Sequence, residues 1–276
     1  MKLVTIATHS ECYFPYLKKS CERYGNNLIV LGWGKKWTGY SFKLQLLQSF
    51  LKDLDDEEIV CFIDSFDVIM LRSLEDLENT FKNFSKDTGS RIIVGYDRAI
   101  SKIVEIVGRI YFGTSYGYTI NSGTYIGYVK DIRNMVNTIY SSPKLDDQKL
   151  LTNYCRDNPN KIYIDATSIF FLTINNPLGN FYDNNLMKID EHKHLWYRGV
   201  KPFFIHGNGN TNMNDIIVSL GYEMNIYDIK NIEEYNRLAR IRKIKWYLSE
   251  LFEENYLNII IVLIVLIIIY SLKKYY

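Results

Sequence analysis

The chain has 276 residues with 33 Lys and Arg against 31 Asp and Glu, a formal charge of +2, and 47% of its residues are hydrophobic. That length suits one large α/β domain with a short appendage rather than two full domains, and a near-neutral charge without long basic runs excludes wholesale binding of a nucleic-acid backbone. Cys12, Cys21, Cys61 and Cys155 are too scattered for a disulfide framework, and no CxxC pair offers a zinc site, so they read as buried thiols.

In chain order, Met1 to Thr8 is a short β-branched run that stops at His9-Ser10-Glu11. It lacks the basic start, long apolar stretch and small-residue cleavage site of a secretory leader and is predicted to be a first buried strand. A helix over Tyr13 to Tyr24 and a strand over Leu28 to Leu31, ending in Gly32-Trp33-Gly34, follow. From Ser41 to Leu54, Leu44, Leu47, Leu51 and Leu54 recur at steps of three and four and define one helical face. A third strand, Ile59 to Ile63, runs straight into Asp64; a helix over Leu74 to Phe84 and a strand over Arg91 to Val94 come next. This alternation predicts a mixed, mostly parallel sheet with flanking helices. Further strands are expected near Thr124 to Tyr128, Lys161 to Ile164 and Pro202 to Ile205, with a basic linker over 223–255.

The C-terminal end differs in kind. From Tyr256 to Leu272 there is no charge, and Ile259 to Ile269 is unbroken Ile, Val and Leu. About 17 such residues are near the lower limit for a helix spanning ~30 Å of hydrocarbon, so 256–272 is expected to be a single-pass anchor in the endoplasmic reticulum or another internal membrane, a buried C-terminal core helix being the alternative. Arg237, Arg240, Arg242, Lys243 and Lys245 precede the span and Lys273 and Lys274 follow it, which favours a cytosolic catalytic domain. The tail 273–276, Lys273-Lys274-Tyr275-Tyr276, looks instead like a cytosolic di-lysine retrieval signal and would put the domain in the lumen. The cues oppose each other; the leaderless start favours the tail anchor.

Four segments carry candidate chemistry. In Ile59-Val60-Cys61-Phe62-Ile63-Asp64-Ser65-Phe66-Asp67-Val68 an apolar strand ends in two acids, which lifts carboxylates to the edge where open α/β folds bind ligands. Two such oxygens can hold Mn²⁺ or Mg²⁺; acids there also serve as caps. Phe203-Phe204-Ile205-His206-Gly207-Asn208-Gly209 again ends an apolar strand. His206 either caps it or completes a metal site, while glycines let backbone N–H groups approach phosphate. Ile120-Asn121-Ser122-Gly123-Thr124 offers small residues against which a hexose can lie, with Asn121 or Ser122 bonding its hydroxyls; it is equally an ordinary loop. Leu145-Asp146-Asp147-Gln148 opens a predicted helix, where the acids act as caps or, in a sugar site, as hydroxyl ligands or a base.

In order, these segments resemble the glycosyltransferase domain of the procollagen-lysine hydroxylase and procollagen galactosyltransferase group, a GT-A-type (Rossmann-like) fold. The resemblance spans Leu3 to Tyr222 and sets a domain at 1–222. It implies Mn²⁺ on the donor diphosphate, held by Asp64, Asp67 and His206, and an aromatic pair, Trp37 and Phe66, around uracil. Phe66 replaces the family's usual tyrosine, so stacking can survive but a phenolic hydrogen bond cannot. By the same resemblance Thr8 lies by the uridine and Lys43, Ser122, Gly123, Gly207, Asn208 and Gly209 serve the donor. Asp146 and Asp147 are the catalytic candidates on the sugar side. The oxygenase part of the hydroxylases has no counterpart, and Gly207-Asn208-Gly209-Asn210 lacks the proline that often follows the motif.

The expected activity is hexose transfer from UDP-glucose or UDP-galactose to a protein or glycan acceptor, hydroxylysine of a collagen-like protein being the family's suggestion. Phosphatases with an aspartate nucleophile also use paired acids, but one residue apart and after the first strand, unlike Asp64 and Asp67. An inactive nucleotide-sugar-binding or tethering module is the alternative of another class.

Overall fold

The computed structural model describes residues 1–99, 102–140, 146–175, 186–209, 211–239, 241–242 and 245. The continuous apolar runs are strands buried on both faces, as parallel strands under helices must be. β1 (Lys2–Ile6), β2 (Leu28–Leu31), β3 (Ile59–Ile63), β5 (Ile92–Tyr96), β7 (Ile120–Tyr128) and β8 (Ile162–Asp165) form a six-stranded sheet in the order β2-β1-β3-β7-β5-β8. All run parallel except β7, which is antiparallel to both β3 and β5. This is the expected mixed, mostly parallel sheet.

Helices cover both faces. The leucine face of α2 (Tyr40–Leu51) buries Leu47 and Leu51 with Ile132, Met135 and Val136 of α5 (Val129–Tyr140) against Val4, Val60 and Phe62. On the other face α1 (Phe14–Arg23) and α3 (Leu74–Thr88) place Phe14, Leu17, Leu77 and Phe81 beside Phe170, Phe171, Phe203 and Phe204. Those last four belong to a second sheet, ordered β4-β12-β9-β6, made of β4 (Val68–Met70), β6 (Arg98–Ala99), β9 (Phe171–Asn175) and β12 (Phe204–Asn208), or lie just before its strands. A two-stranded ribbon, β10 (Met187–Ile189) with β11 (Leu195–Tyr197), and the helices α4 (Lys102–Phe112), α6 (Asp147–Asp157) and α7 (Asn214–Ser219) complete the named elements.

Three expectations change in detail. The strand expected at Thr124 starts four residues earlier, because Ile120 to Thr124, which resembles a turn in sequence, finds partners in β3 and β5. The strand expected to end at Ile205 runs on to Asn208, so His206 lies inside it, between β4 and β9. Where a linker was expected from Glu223, residues 226–239 are helical (α8), with Ile232 and Asn236 buried one turn apart on the domain-facing side. Cys21, Cys61 and Cys155 are buried as expected, whereas Cys12 is half-buried.

The expected apolar span 256–272, the tail 273–276 and most of 240–255 lie outside the described residues. Among the described residues, no helix is long and apolar enough to cross a membrane.

Candidate functional site

The site forms where the chain leaves the first sheet for the second. β3 ends at Ile63, and Asp64-Ser65-Phe66-Asp67 crosses to β4, at the edge of the second sheet. β4 pairs antiparallel with β12 in a register that sets Val68 opposite His206, and Gly207 N–H donates to the Asp67 carbonyl at 2.8 Å. The register therefore delivers the imidazole of a distant strand to the second acid of the loop. His206 Nε2 lies 3.2 Å from Asp67 Oδ1, and one ligand atom from each of Asp64, Asp67 and His206 falls within 4.8 Å of the others.

Three further observations describe this cluster. Asn121 Oδ1 accepts from His206 Nδ1 at 3.1 Å, from the Gly123 N–H at 3.0 Å and from the Thr124 hydroxyl at 3.4 Å. With Nδ1 donating, the neutral ring carries its lone pair on Nε2. That Nε2 is fully buried and has no hydrogen-bond partner, the nearby Asp67 carboxylate oxygen being itself an acceptor. Burial lowers the pKa of His206, but the nearby Asp67 and Asp64 carboxylates raise it more, and the net shift is upward. A buried lone pair aimed at two carboxylates, with its opposite nitrogen fixed by a carboxamide, is what a divalent cation needs from its ligands. The residues fit a metal.

Gly123 shows how closely the strands meet here. A Cβ on it would sit 2.4 Å from Asp64 Oδ2 and 2.6 Å from His206 Cε1. The register of β5 on β7 shifts between Val94 and Gly95, so that Gly95 faces Asn121 after Val94 has faced Tyr125. This bulge turns Ser122 and Gly123 toward the acids. Asp64 N–H in turn donates to the Gly123 carbonyl at 2.7 Å.

Above the cluster lies an open cleft of about 660 Å³. Thr8, Trp37, Lys43, Asp64, Phe66, Asp67, Ser122, Asp146, Asp147 and Asn208 all line it, so the structure brings together most of the residues named from sequence. Lys43, on α2, is buried and reaches Asp64 Oδ1 at 3.2 Å, Asp147 Oδ2 at 3.0 Å and the Ser122 carbonyl at 3.3 Å. Burial lowers its pKa, but the two carboxylates outweigh that and hold it above the ordinary lysine value. Asp146 is the N-cap of α6, its side chain accepting from the Gln148 and Lys149 N–H groups. Trp37 is exposed and meets Phe42 edge-on, with ring centroids 5.9 Å apart.

Other placements differ from the sequence reading. Asn121 is buried and its Oδ1 serves His206 rather than a sugar hydroxyl. A Cβ on Gly207 would strike the Met213 side chain at 2.8 Å, and its N–H is already committed to Asp67; the Gly209 N–H goes to the Asn208 side chain at 2.8 Å. Of the Gly207-Asn208-Gly209 run, Asn208 is the residue that lines the cleft. Leu145 and Asn210 lie outside the described residues.

Sequence reasoning missed several residues of the wall. His9 and Tyr40 neighbour Thr8 and Trp37 but carried no pattern of their own. Glu11 holds His9 Nε2 at 2.8 Å, and Thr8 Oγ1 lies 2.8 Å from His9 Nδ1. Phe112, Tyr235, Ala239 and Arg242 reach the cleft from helices remote in sequence, so no local signal could have marked them.

A mostly parallel sheet whose central strand delivers two acids to an imidazole, beneath a cleft lined with aromatic rings and carboxylates, defines a GT-A-like glycosyltransferase domain. The chain belongs to the PLOD GT domain family, whose sequence profile it matches over residues 1–228. It is 25% identical over 228 residues to a multifunctional procollagen lysine hydroxylase and glycosyltransferase of Caenorhabditis elegans, an alignment covering 75% of this chain and 30% of that protein. It is likewise 25% identical over 232 residues to the human protein of that description, LH3, covering 76% of this chain and 30% of that one. The chain thus matches about a third of the length of these relatives. A solved glycosyltransferase involved in the glycosylation of the major capsid of PBCV-1 is similar at 14% identity with a TM-score of 0.46, covering 76% of this chain and 96% of that one.

Proposed function

We propose that this protein transfers a hexose, glucose or galactose, from its UDP-sugar to an acceptor with Mn²⁺ as cofactor, and that 256–272 anchors it in an internal membrane. The observation that carries the reading is the convergence of Asp64, Asp67 and the partnerless Nε2 of His206 within 4.8 Å. Held there, the ion would neutralise charge on the diphosphate as UDP departs.

The chain's own residues supply the rest. Trp37 and Phe66 present rings for the uracil, with Thr8 beside the uridine. Lys43 fixes the carboxylates of Asp64 and Asp147 relative to each other, so that the metal edge and the sugar edge of the cleft keep one geometry. Asp147, with Asp146 at the same helix start, contacts the sugar or the acceptor hydroxyl on this reading. The acceptor oxygen bonds to the anomeric carbon and gives up its proton, for which Asp146 and Asp147 are the candidate bases, while the bond from that carbon to the phosphate oxygen breaks and UDP leaves. Hydroxylysine of a collagen-like protein is the acceptor class the relatives' names suggest.

UDP release from UDP-glucose or UDP-galactose with Mn²⁺ tests this. Asp67→Ala is expected to abolish it, and unchanged turnover would defeat the assignment. UDP binding that requires Mn²⁺ but is followed by no transfer to any acceptor would point to an inactive nucleotide-sugar-binding module.

A further inference from the structure

Helix α8 extends beyond residue 228, where the family match ends, yet it forms part of the cleft wall. Contacts along its length bind it to the domain. Ile232 is buried in the core, Asp228 Oδ2 accepts from the Tyr16 hydroxyl at 2.8 Å, and Asn236 is buried beside Cys12. Tyr235, one helical position before Asn236, meets Phe66 edge-on with ring centroids 6.1 Å apart. Since Phe66 lies between Asp64 and Asp67, that contact seats the helix against the loop that carries both acids.

From Tyr235 the chain continues in helical conformation at 239 and 241–242, and Ala239 and Arg242 follow at steps of four and three, on the same face. All three line the cleft. Arg242 lies 6.0 Å from the Tyr235 ring centroid, at the Phe66 side of the cleft.

The charges of the cleft make this arginine informative. Glu11, Asp64, Asp67, Asp146 and Asp147 line it against Lys43 and Arg242. Lys43 is consumed by Asp64 and Asp147. Among the described residues, Arg242 has no carboxylate partner. A donor diphosphate entering so acidic a cleft needs positive charge beyond that of the metal, and a guanidinium suits phosphate oxygens through paired N–H donors.

We infer that Arg242, just beyond α8 and seated by the contact of Tyr235 with Phe66, binds the diphosphate of the nucleotide donor. The inference rests on the proposed nucleotide-sugar reading and adds to it a residue outside the matched family region.

The test is calorimetric titration of UDP and of uridine, with Mn²⁺, into the full chain in detergent. Arg242→Gln is expected to weaken UDP about tenfold or more while leaving uridine unchanged, because hydrogen bonds between charged groups exceed neutral ones. Arg242→Lys should recover part of the loss. Tyr235→Ala, which removes the seat and keeps the charge, should weaken UDP more than uridine, the uridine loss coming from Phe66, whose ring Tyr235 packs against. UDP affinity unchanged in Arg242→Gln, or an equal loss for UDP and uridine, overturns the inference while leaving the donor reading intact. If the unsubstituted protein binds no UDP with Mn²⁺, the donor reading fails and this inference falls with it.

Discussion

At the scale of single residues the site depends on His206 and on the absence of a side chain at Gly123. Without metal, the folded pKa of His206 is raised by the Asp67 and Asp64 carboxylates despite burial. Its proton therefore stabilises the metal-free fold. That contribution is full below the ordinary imidazole value of about 6.5 and is lost as pH rises through the raised folded value. Metal binding has the opposite sign, because the ion needs the Nε2 lone pair. Mn²⁺ affinity is expected to fall about tenfold per unit as pH drops below the raised value. Titrations at pH 6 and pH 8 check this, and pH-independent affinity would remove His206 from the ligand set. At Gly123, a methyl group would sit 2.4 Å from Asp64 Oδ2. Gly123→Ala is expected to lower Mn²⁺ affinity by roughly ten- to a hundredfold, the range seen when groups supporting a ligand are disturbed. Equal affinity in the variant would mean the strands separate more easily than the packing implies.

At the scale of elements, β9 of the second sheet is launched by one buried acid. Asp165, at the end of β8, accepts from the Ile169, Phe170 and Phe171 N–H groups and from the Thr167 hydroxyl at 2.7 to 3.1 Å. Both oxygens are used, and the turn they close sends the chain into β9, the neighbour of the His206 strand. An asparagine keeps one acceptor and turns an N–H₂ toward donors. Asp165→Asn is expected to cost about 1–3 kcal/mol, read as a lower urea midpoint at constant slope. A midpoint within error of the unsubstituted protein would show that the loop finds other acceptors.

Legibility in the sequence also varies by element. β3 and Asp64 could be read because five apolar residues followed by an acid need no distant partner to be recognised. β7 was read short because Asn121-Ser122-Gly123 has turn composition, and only pairing with β3 and β5 makes it a strand. Helix α8 was passed over because its core-facing residues are few: Ile232 and Asn236 are buried, while Ile226, Tyr227 and Leu238 are exposed. A sparse apolar face gives a weak periodic signal, and packing on α1 makes up the difference.

At the scale of the whole molecule, the metal would join two sheets, since Asp64 ends a strand of the first and His206 lies within the second. Mn²⁺ at about a hundred times its dissociation constant is expected to add ~2.7 kcal/mol to stability by mass action. A thermal melt of the full chain with and without Mn²⁺ should show the rise, and Asp67→Ala should abolish it. A melt that ignores the ion in the unsubstituted protein would separate the cluster from metal binding.

The sequence by itself determined the mostly parallel α/β architecture, because apolar periodicity is a local property, and it offered Asp64, Asp67 and His206 as candidates that the family resemblance joined into one set. Tertiary structure decided everything that depends on which distant strands become neighbours. The β4 and β12 register brings His206 to Asp67, Gly123 leaves space for both, Asn121 turns inward to hold the imidazole, and α8 folds back so that Tyr235, with Arg242 beyond it, lines the cleft. These contacts join residues far apart in the chain, and their energies come from burial and close fit between separate elements, which no stretch of sequence carries alone.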